Sequence, residues 1–173
     1  MDKQNLEFLS TFNVDDIPWN RLFTAYGTAE NYPEYIGIIE SMNSIDEMKE
    51  ALERISDFEH QSTLFAPAPF TIAILLKVFK KAKSLNTPEA IWLTETLSKD
   101  FEYYLEICSE AEQLEHAEVL PIKEIFGEKY LLSNDSDEDD IEEFLENIDD
   151  MFIPDDYFYT LYHCCGELIR NSL

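Results

Sequence analysis

The sequence predicts an all-α fold on three observations: apolar residues recur at spacings of three and four, prolines stand at the heads of those stretches, and only 4 of 173 residues are glycine. Scarce glycine disfavours turn-dense β architectures and Gly-rich phosphate loops alike. Apolar residues make up 45% and aromatics 13%, more than a disordered acidic chain carries. A chain of 173 residues suits one core, which can bury about 70% of the surface its unfolded form exposes. We expect a single domain, residues 1–173, of about seven helices packed as antiparallel pairs.

The elements follow in order. Pro18 opens an expected helix over residues 18–26, with Trp19, Leu22, Phe23 and Tyr26 in one stripe and Gly27 as its stop. Pro33 opens a second, reaching Met42. Ser44 with Glu47 reads as a capping box for a third, in which Ile45, Met48, Ala51, Leu52, Ile55 and Phe58 repeat at three and four. Residues 61–69 read as irregular, because the Ala-Pro-Ala-Pro at 66–69 steers each residue before a proline out of the α region.

Residues 70–83 are apolar almost all round at first, then carry Lys77, Lys80, Lys81 and Lys83 near the negative pole of the helix. This is the expected central helix. Thr87, Pro88 and Glu89 open the longest segment, where Ala90, Leu93, Leu97, Phe101, Tyr104, Cys108 and Ala111 keep the spacing to about His116. Residues 122–132 read as a short helix with an extended piece around Gly127, and residues 133–140 as an acidic loop. Ile141, Phe144, Leu145, Ile148 and Phe152 form a further stripe. Pro154 heads a last helix with Phe158, Leu161, Tyr162, Cys165 and Leu168 on one side. No strict repeat period is visible.

Charge narrows the partners. With 37 acidic against 12 basic side chains the formal net charge is -25, so nucleic acid and anionic membranes are repelled. Residues 1–100 carry 16 acidic and 9 basic side chains and residues 101–173 carry 21 and 3, so the later part is the acidic one. Cys108, Cys164 and Cys165 are too few, and two are adjacent, for a disulfide framework, which fits a reducing compartment. The start lacks a basic segment followed by a long apolar one, and no apolar run approaches about 18 residues. The expected location is the cytoplasm.

Two segments carry a resemblance: Ile17, Pro18 and Trp19 followed by Ala25, Tyr26, Gly27 and Pro33, and His60 and Gln61 followed by the Pro-rich turn and the apolar helix at 70–79. Over roughly residues 17–97 the chain resembles degenerate HEAT-like helical-repeat proteins of bacteria. In size and acidity it resembles immunity proteins of polymorphic-toxin and contact-dependent growth-inhibition systems. The resemblance implies a HEAT-like helical part over 1–116 and an acidic helical part of the same domain over 117–173. It also implies scaffold roles for Trp19, Tyr26, His60 and Gln61.

Asp135, Asp137, Glu138, Asp139, Asp140, Glu142, Glu143, Glu146, Asp149 and Asp150 crowd one short segment. Asp135, Asp137, Asp139 and Glu146 fall on EF-hand positions 1, 3, 5 and 12, but Asp140 stands where the sharp turn requires glycine and Glu142 where an apolar residue is common. A solvated loop leading into a helix with acids at its positive pole accounts for part of the segment. The other reading joins it to Glu102, Glu106 and Glu110 as a negative field for a basic partner, whose cations would relieve the repulsion among the carboxylates. Nearby aromatics suit such an interface. Phe158 and Tyr162 fit a core stripe, whereas Tyr157 and Tyr159 point away from it and are the interface candidates.

Metal and catalytic chemistry find little support. His163, Cys164 and Cys165 are consecutive and diverge by about 100° each on a helix, so they do not converge on one tetrahedral ion. No glycine elbow accompanies a cysteine or histidine, and carboxylate pairs are too abundant to be diagnostic. The expectation is a non-enzyme with no cofactor, no metal and no catalytic residues. It is an immunity protein that neutralises a cognate basic toxin domain, a nuclease by class, through an acidic surface. The alternatives are a helical-repeat adaptor or scaffold and, behind it, a calcium-responsive module.

Overall fold

The computed structural model describes residues 3–111, 118–127, 130–133, 139–140, 143 and 155–173. Six α-helices have bounds among them: α1 Lys3–Thr11, α2 Tyr32–Ser41, α3 Ile45–Ile55, α4 Ala68–Ala82, α5 Pro88–Ala111 and α6 Asp155–Arg170. Two antiparallel hairpins join them, β1 Phe23–Thr24 with β2 Gly27–Thr28, and β3 Glu59–His60 with β4 Thr63–Leu64. The stripe over residues 141–152 lies, apart from Glu143, outside the described residues.

α4 is central because its sequence leaves no polar face. Ala68 to Leu76 is buried without a break, and the helix touches α1, α2, α5 and α6. Its lysines emerge only at the far end, where Lys77 stands over the Phe12 ring at 5.0 Å and Lys83 over Phe79 at the same distance. α2 turns back into α3 through Met42, whose φ of 50° reverses the chain. Ser44 then accepts a hydrogen bond from the Glu47 N–H at 3.4 Å, the cap that its sequence announces. α5 buries Ala90, Leu93, Leu97, Phe101, Tyr104, Ile107 and Cys108. α6 lies across both α4 and α5. Gly166 permits the close approach: a Cβ there would stand 3.1 Å from that of Cys108.

Residues 18–26 do not form the expected helix. A 3-10 turn, Trp19–Arg21, leads into β1, and Gly27 sits in β2 with φ +151°. Leu22, Phe23 and Thr24 are all fully buried, and consecutive residues cannot share one narrow helical face. Residues 61–69 are also more ordered than their composition suggests. Gln61 and Ser62 take φ of 49° and 64°, closing β3 onto β4 in a two-residue turn. Ala68 is helical although Pro69 follows it, in the first turn where a missing N–H costs nothing.

These corrections expose a repeat that the side chains conceal. Phe23 and Glu59, Gly27 and Thr63, Tyr32 and Ala68, and Pro33 and Pro69 all stand 36 residues apart. The flanking backbone bonds coincide as well, Ala29 N–H to Leu22 C=O at 3.0 Å and Phe65 N–H to Phe58 C=O at 2.8 Å. Each unit is a hairpin followed by a helix. The units touch at Ala25, whose N–H donates to the Asp57 carbonyl at 3.0 Å, and at the edge-on rings of Phe23 and Phe65.

α1 was not announced by the sequence. It buries only Asn5 and Leu9. Asn5 earns its place by hydrogen bonding: its Nδ2 donates to the Leu120 carbonyl at 2.9 Å, and its Oδ1 accepts from the Ile122 N–H at 2.7 Å. The 3-10 segment Ile122–Phe126 follows from there. Thr160, buried on α6, accepts from the Leu120 N–H at 2.8 Å.

Candidate partner-binding surface

The buried stripe of α5 leaves its other side to solvent. Glu102, Glu106 and Glu110 recur there every four residues and are all exposed, with Tyr103 44% exposed beside them. Like charges at this spacing repel by a few tenths of a kcal/mol per pair, roughly 0.2–0.5. The helix therefore retains these acids at some cost to its own stability.

The second hairpin is held against this side. Tyr103 donates its hydroxyl to Glu59 Oε1 at 3.2 Å, and the Ser62 N–H donates to the same oxygen at 2.8 Å. From α6, the Tyr162 hydroxyl accepts from the Leu64 N–H at 3.2 Å and donates to the Ser62 carbonyl at 3.0 Å. Desolvation, then the Glu59 charge, pushes the Tyr103 phenol above its ordinary value, so the group remains a donor. The first hairpin contributes Tyr26, 70% exposed, whose hydroxyl lies 2.9 Å from His60 Nδ1 with the rings edge-on at 5.1 Å. The result is a patch of the exposed Tyr26 and Tyr103 rings and the half-buried His60 imidazole, bordered by carboxylates.

The sequence candidates divide three ways. Glu102, Glu106 and Glu110 are brought together on α5. Asp139, Asp140 and Glu143 are exposed. Asp135, Asp137, Glu138, Glu142, Glu146, Asp149 and Asp150, and with them the EF-hand register, lie outside the described residues. Tyr157 is a correction: it is fully buried, with its ring 4.6 Å from that of Tyr130, and presents nothing to a partner. Tyr159 is half-buried and stacks on His163 at 5.9 Å. Tyr26 is corrected in the opposite sense, since it is the most exposed of these aromatics and Trp19, at 4%, is the one that serves as scaffold. The Trp19 indole donates to the Val14 carbonyl at 2.8 Å.

No group of three or more metal-ligating side chains is found among the described residues. All three cysteines are buried thiols, and burial pushes Cys164 up to about 12 and Cys165 well above its ordinary value, leaving neither a ready nucleophile.

Sequence reasoning missed a cleft of about 440 Å³ between α3 and α5. One wall is the α5 row Trp92, Thr96, Asp100 and Tyr104, each four residues from the last, and Lys49 and Glu53 of α3 stand at its mouth. Burial raises the Asp100 carboxyl above its ordinary value, and Lys99 opposes that rise. The available signal was a row of partly polar residues running beside the apolar stripe.

No protein-family model, curated protein or solved structure matches the chain. Among the described residues, no helix is long and apolar enough to cross a membrane.

Proposed function

We propose that the chain is an immunity protein, a non-enzymatic inhibitor that occupies the positively charged working surface of a cognate toxin domain in the cytoplasm of the cell it protects. The observation that carries this reading is the α5 side, where exposed Glu102, Glu106 and Glu110 border Tyr103 next to the Tyr26–His60 pair. Nucleases are the target class. A nuclease gathers phosphates with lysine and arginine, and carboxylates compete for the same groups. A net charge of -25 speeds the encounter, while aromatic rings supply apolar contact at little entropic cost. The pairs α2–α3 and α4–α5, each entered through a hairpin, read as two degenerate HEAT-like units that hold this surface rigid.

Co-expression with a basic nuclease toxin domain tests the proposal. The wild-type chain is expected to restore growth, and the variant E102Q/E106Q/E110Q to protect poorly. Its association with the toxin should be slower at low salt and less salt-sensitive than that of the wild type, because screening acts within about 8–10 Å. A wild-type association rate unchanged between low and physiological salt would return the chain to the adaptor class.

A further inference from the structure

We propose that the cleft between α3 and α5 is a binding site for a small uncharged ring compound that carries a hydroxyl, the hydroxyl meeting Tyr104 and the ring lying on Leu52 and Thr96. This goes beyond the inhibitor reading and does not depend on it.

Tyr104 carries the argument. It lines the cleft at only 8% exposure, and its hydroxyl makes no hydrogen bond among the described residues. Buried phenols ordinarily find a partner. In this chain Tyr32 donates to Asp57, and Tyr162 donates to the Ser62 carbonyl. Burial, and then the Asp100 charge, holds the Tyr104 phenol well above its ordinary value, so it keeps its proton. The hydroxyl is therefore free both to donate and to accept at the wall of the cleft.

The same row fixes the polar group of the ligand. Asp100 precedes Tyr104 by one helical turn, about 6 Å along the axis, and both line the cleft. A hydroxyl between them can accept from Tyr104 and donate to Asp100, which a hydrocarbon or an ether cannot. Asp100 itself reaches solvent and has Lys99 beside it, so it calls for no cation. An anion would meet Asp100 and Glu53, and an ion of either sign would leave water for a cleft floored by buried Ile55 and Phe58. An apolar ring instead releases the water that lies against half-buried Leu52. At about 440 Å³ the cleft is of the size that takes small organic molecules.

The probe is β-naphthol, titrated into the full chain at pH 7 while amide NMR spectra are followed, with naphthalene and β-naphthoate as comparators on the same ring system. The expected result is saturable shifts centred on α3 and α5, with β-naphthol bound about fivefold more tightly than naphthalene and β-naphthoate not bound. Tyr104→Phe keeps the ring packed on Phe58, 5.2 Å away, and should make β-naphthol and naphthalene equal. Thr96→Phe fills the cleft and should abolish the shifts. The amide spectra of the unliganded variants show that they are folded, and the comparison of the three probes on the wild type stands without them. Absence of saturation, equal affinity of β-naphthol and naphthalene for the wild type, or binding of β-naphthoate as tight as that of β-naphthol overturns the site. So does a preference for β-naphthol that survives Tyr104→Phe, or binding that a folded Thr96→Phe leaves unchanged. Because no toxin enters the titration, its failure leaves the α5 surface standing.

Discussion

Thr24 donates its hydroxyl to an Asp57 carboxylate oxygen at 2.9 Å, across 33 residues of chain, and so ties the first hairpin to the segment that opens the second. The Tyr32 hydroxyl occupies the other oxygen. Both donors are buried, and desolvation with the Asp57 charge raises the Tyr32 phenol, so it remains protonated. Asp57→Ala strands two buried hydroxyls and is expected to cost about 3 kcal/mol. Asp57→Asn, which keeps one good acceptor, should cost about half of that. Urea unfolding measures both; a loss from Asp57→Ala below about 1 kcal/mol would show that this carboxylate does not join the two units.

Asp100 works in the opposite direction. Its folded carboxyl titrates above the 3.8 of an ordinary aspartate because burial disfavours the charge. The folded state therefore gains from the protonated form, fully so below the unfolded value, and loses that gain as pH rises through the raised value. Asp100→Asn should raise the melting temperature at pH 7 by roughly 1–3 °C, and the difference from wild type should vanish near pH 3. A destabilised variant at pH 7 would mean that the carboxylate is satisfied after all.

Gln61 is the first of two consecutive left-handed residues in the β3–β4 turn, with φ 49°. Asparagine tolerates that conformation and a β-branched residue does not. Gln61→Asn is expected to add about 0.5 kcal/mol and Gln61→Val to remove 1–2 kcal/mol, approximately. Thermal melts of the pair decide it, since the side chain is exposed and packing contributes nothing to the difference.

Tyr26 should separate binding from stability. At 70% exposure its loss removes little from the core, and Tyr26→Ala should leave the melting temperature within about 1 °C. If the hairpin tips form the centre of an interface, the same change weakens toxin binding by about 30-fold, some 2 kcal/mol. Calorimetric titration with the cognate domain reads it directly. Unaltered affinity would move the interface off the hairpins.

The long helices were legible because their apolar spacing, caps and prolines agree. α3 begins after Ser44 and α5 at Pro88 as the sequence indicates, while α4 starts two residues before the expected Phe70. Two-residue strands are too short to show a period of two, so the hairpins were hidden. The stripe Trp19, Leu22, Phe23 and Tyr26 satisfied helical spacing by coincidence, and the exposure of Tyr26 marks the error. The 36-residue repeat rests on backbone bonds and the Pro33–Pro69 pair, so little of it depends on matching side chains.

In α6 the helix and most of its buried stripe were legible, and its exact rotation was not. Leu161, Cys165 and Leu168 of the expected stripe are buried and Phe158 and Tyr162 pack partly buried at its edge, while Tyr157, Thr160, Cys164 and Ile169 extend the buried side the other way. Three adjacent rings, Tyr157, Phe158 and Tyr159, give pattern reasoning no way to choose among them. The α5 carboxylates were found for the converse reason: a row of acids every four residues opposite a clean apolar stripe admits one orientation. Asp100 escaped notice because its burial depends on α3, which sequence spacing does not place.

Where α6 crosses α5, Gly166 rests so near Cys108 that an alkylating reagent has no route to that sulfur while the two helices remain docked. Cys164 and Cys165 lie on the same covered side of α6. The rate at which iodoacetamide consumes these three positions is therefore a clock for undocking of the helix, with no label or engineered reporter needed. Its dependence on denaturant distinguishes a local excursion of α6 from unfolding of the whole chain.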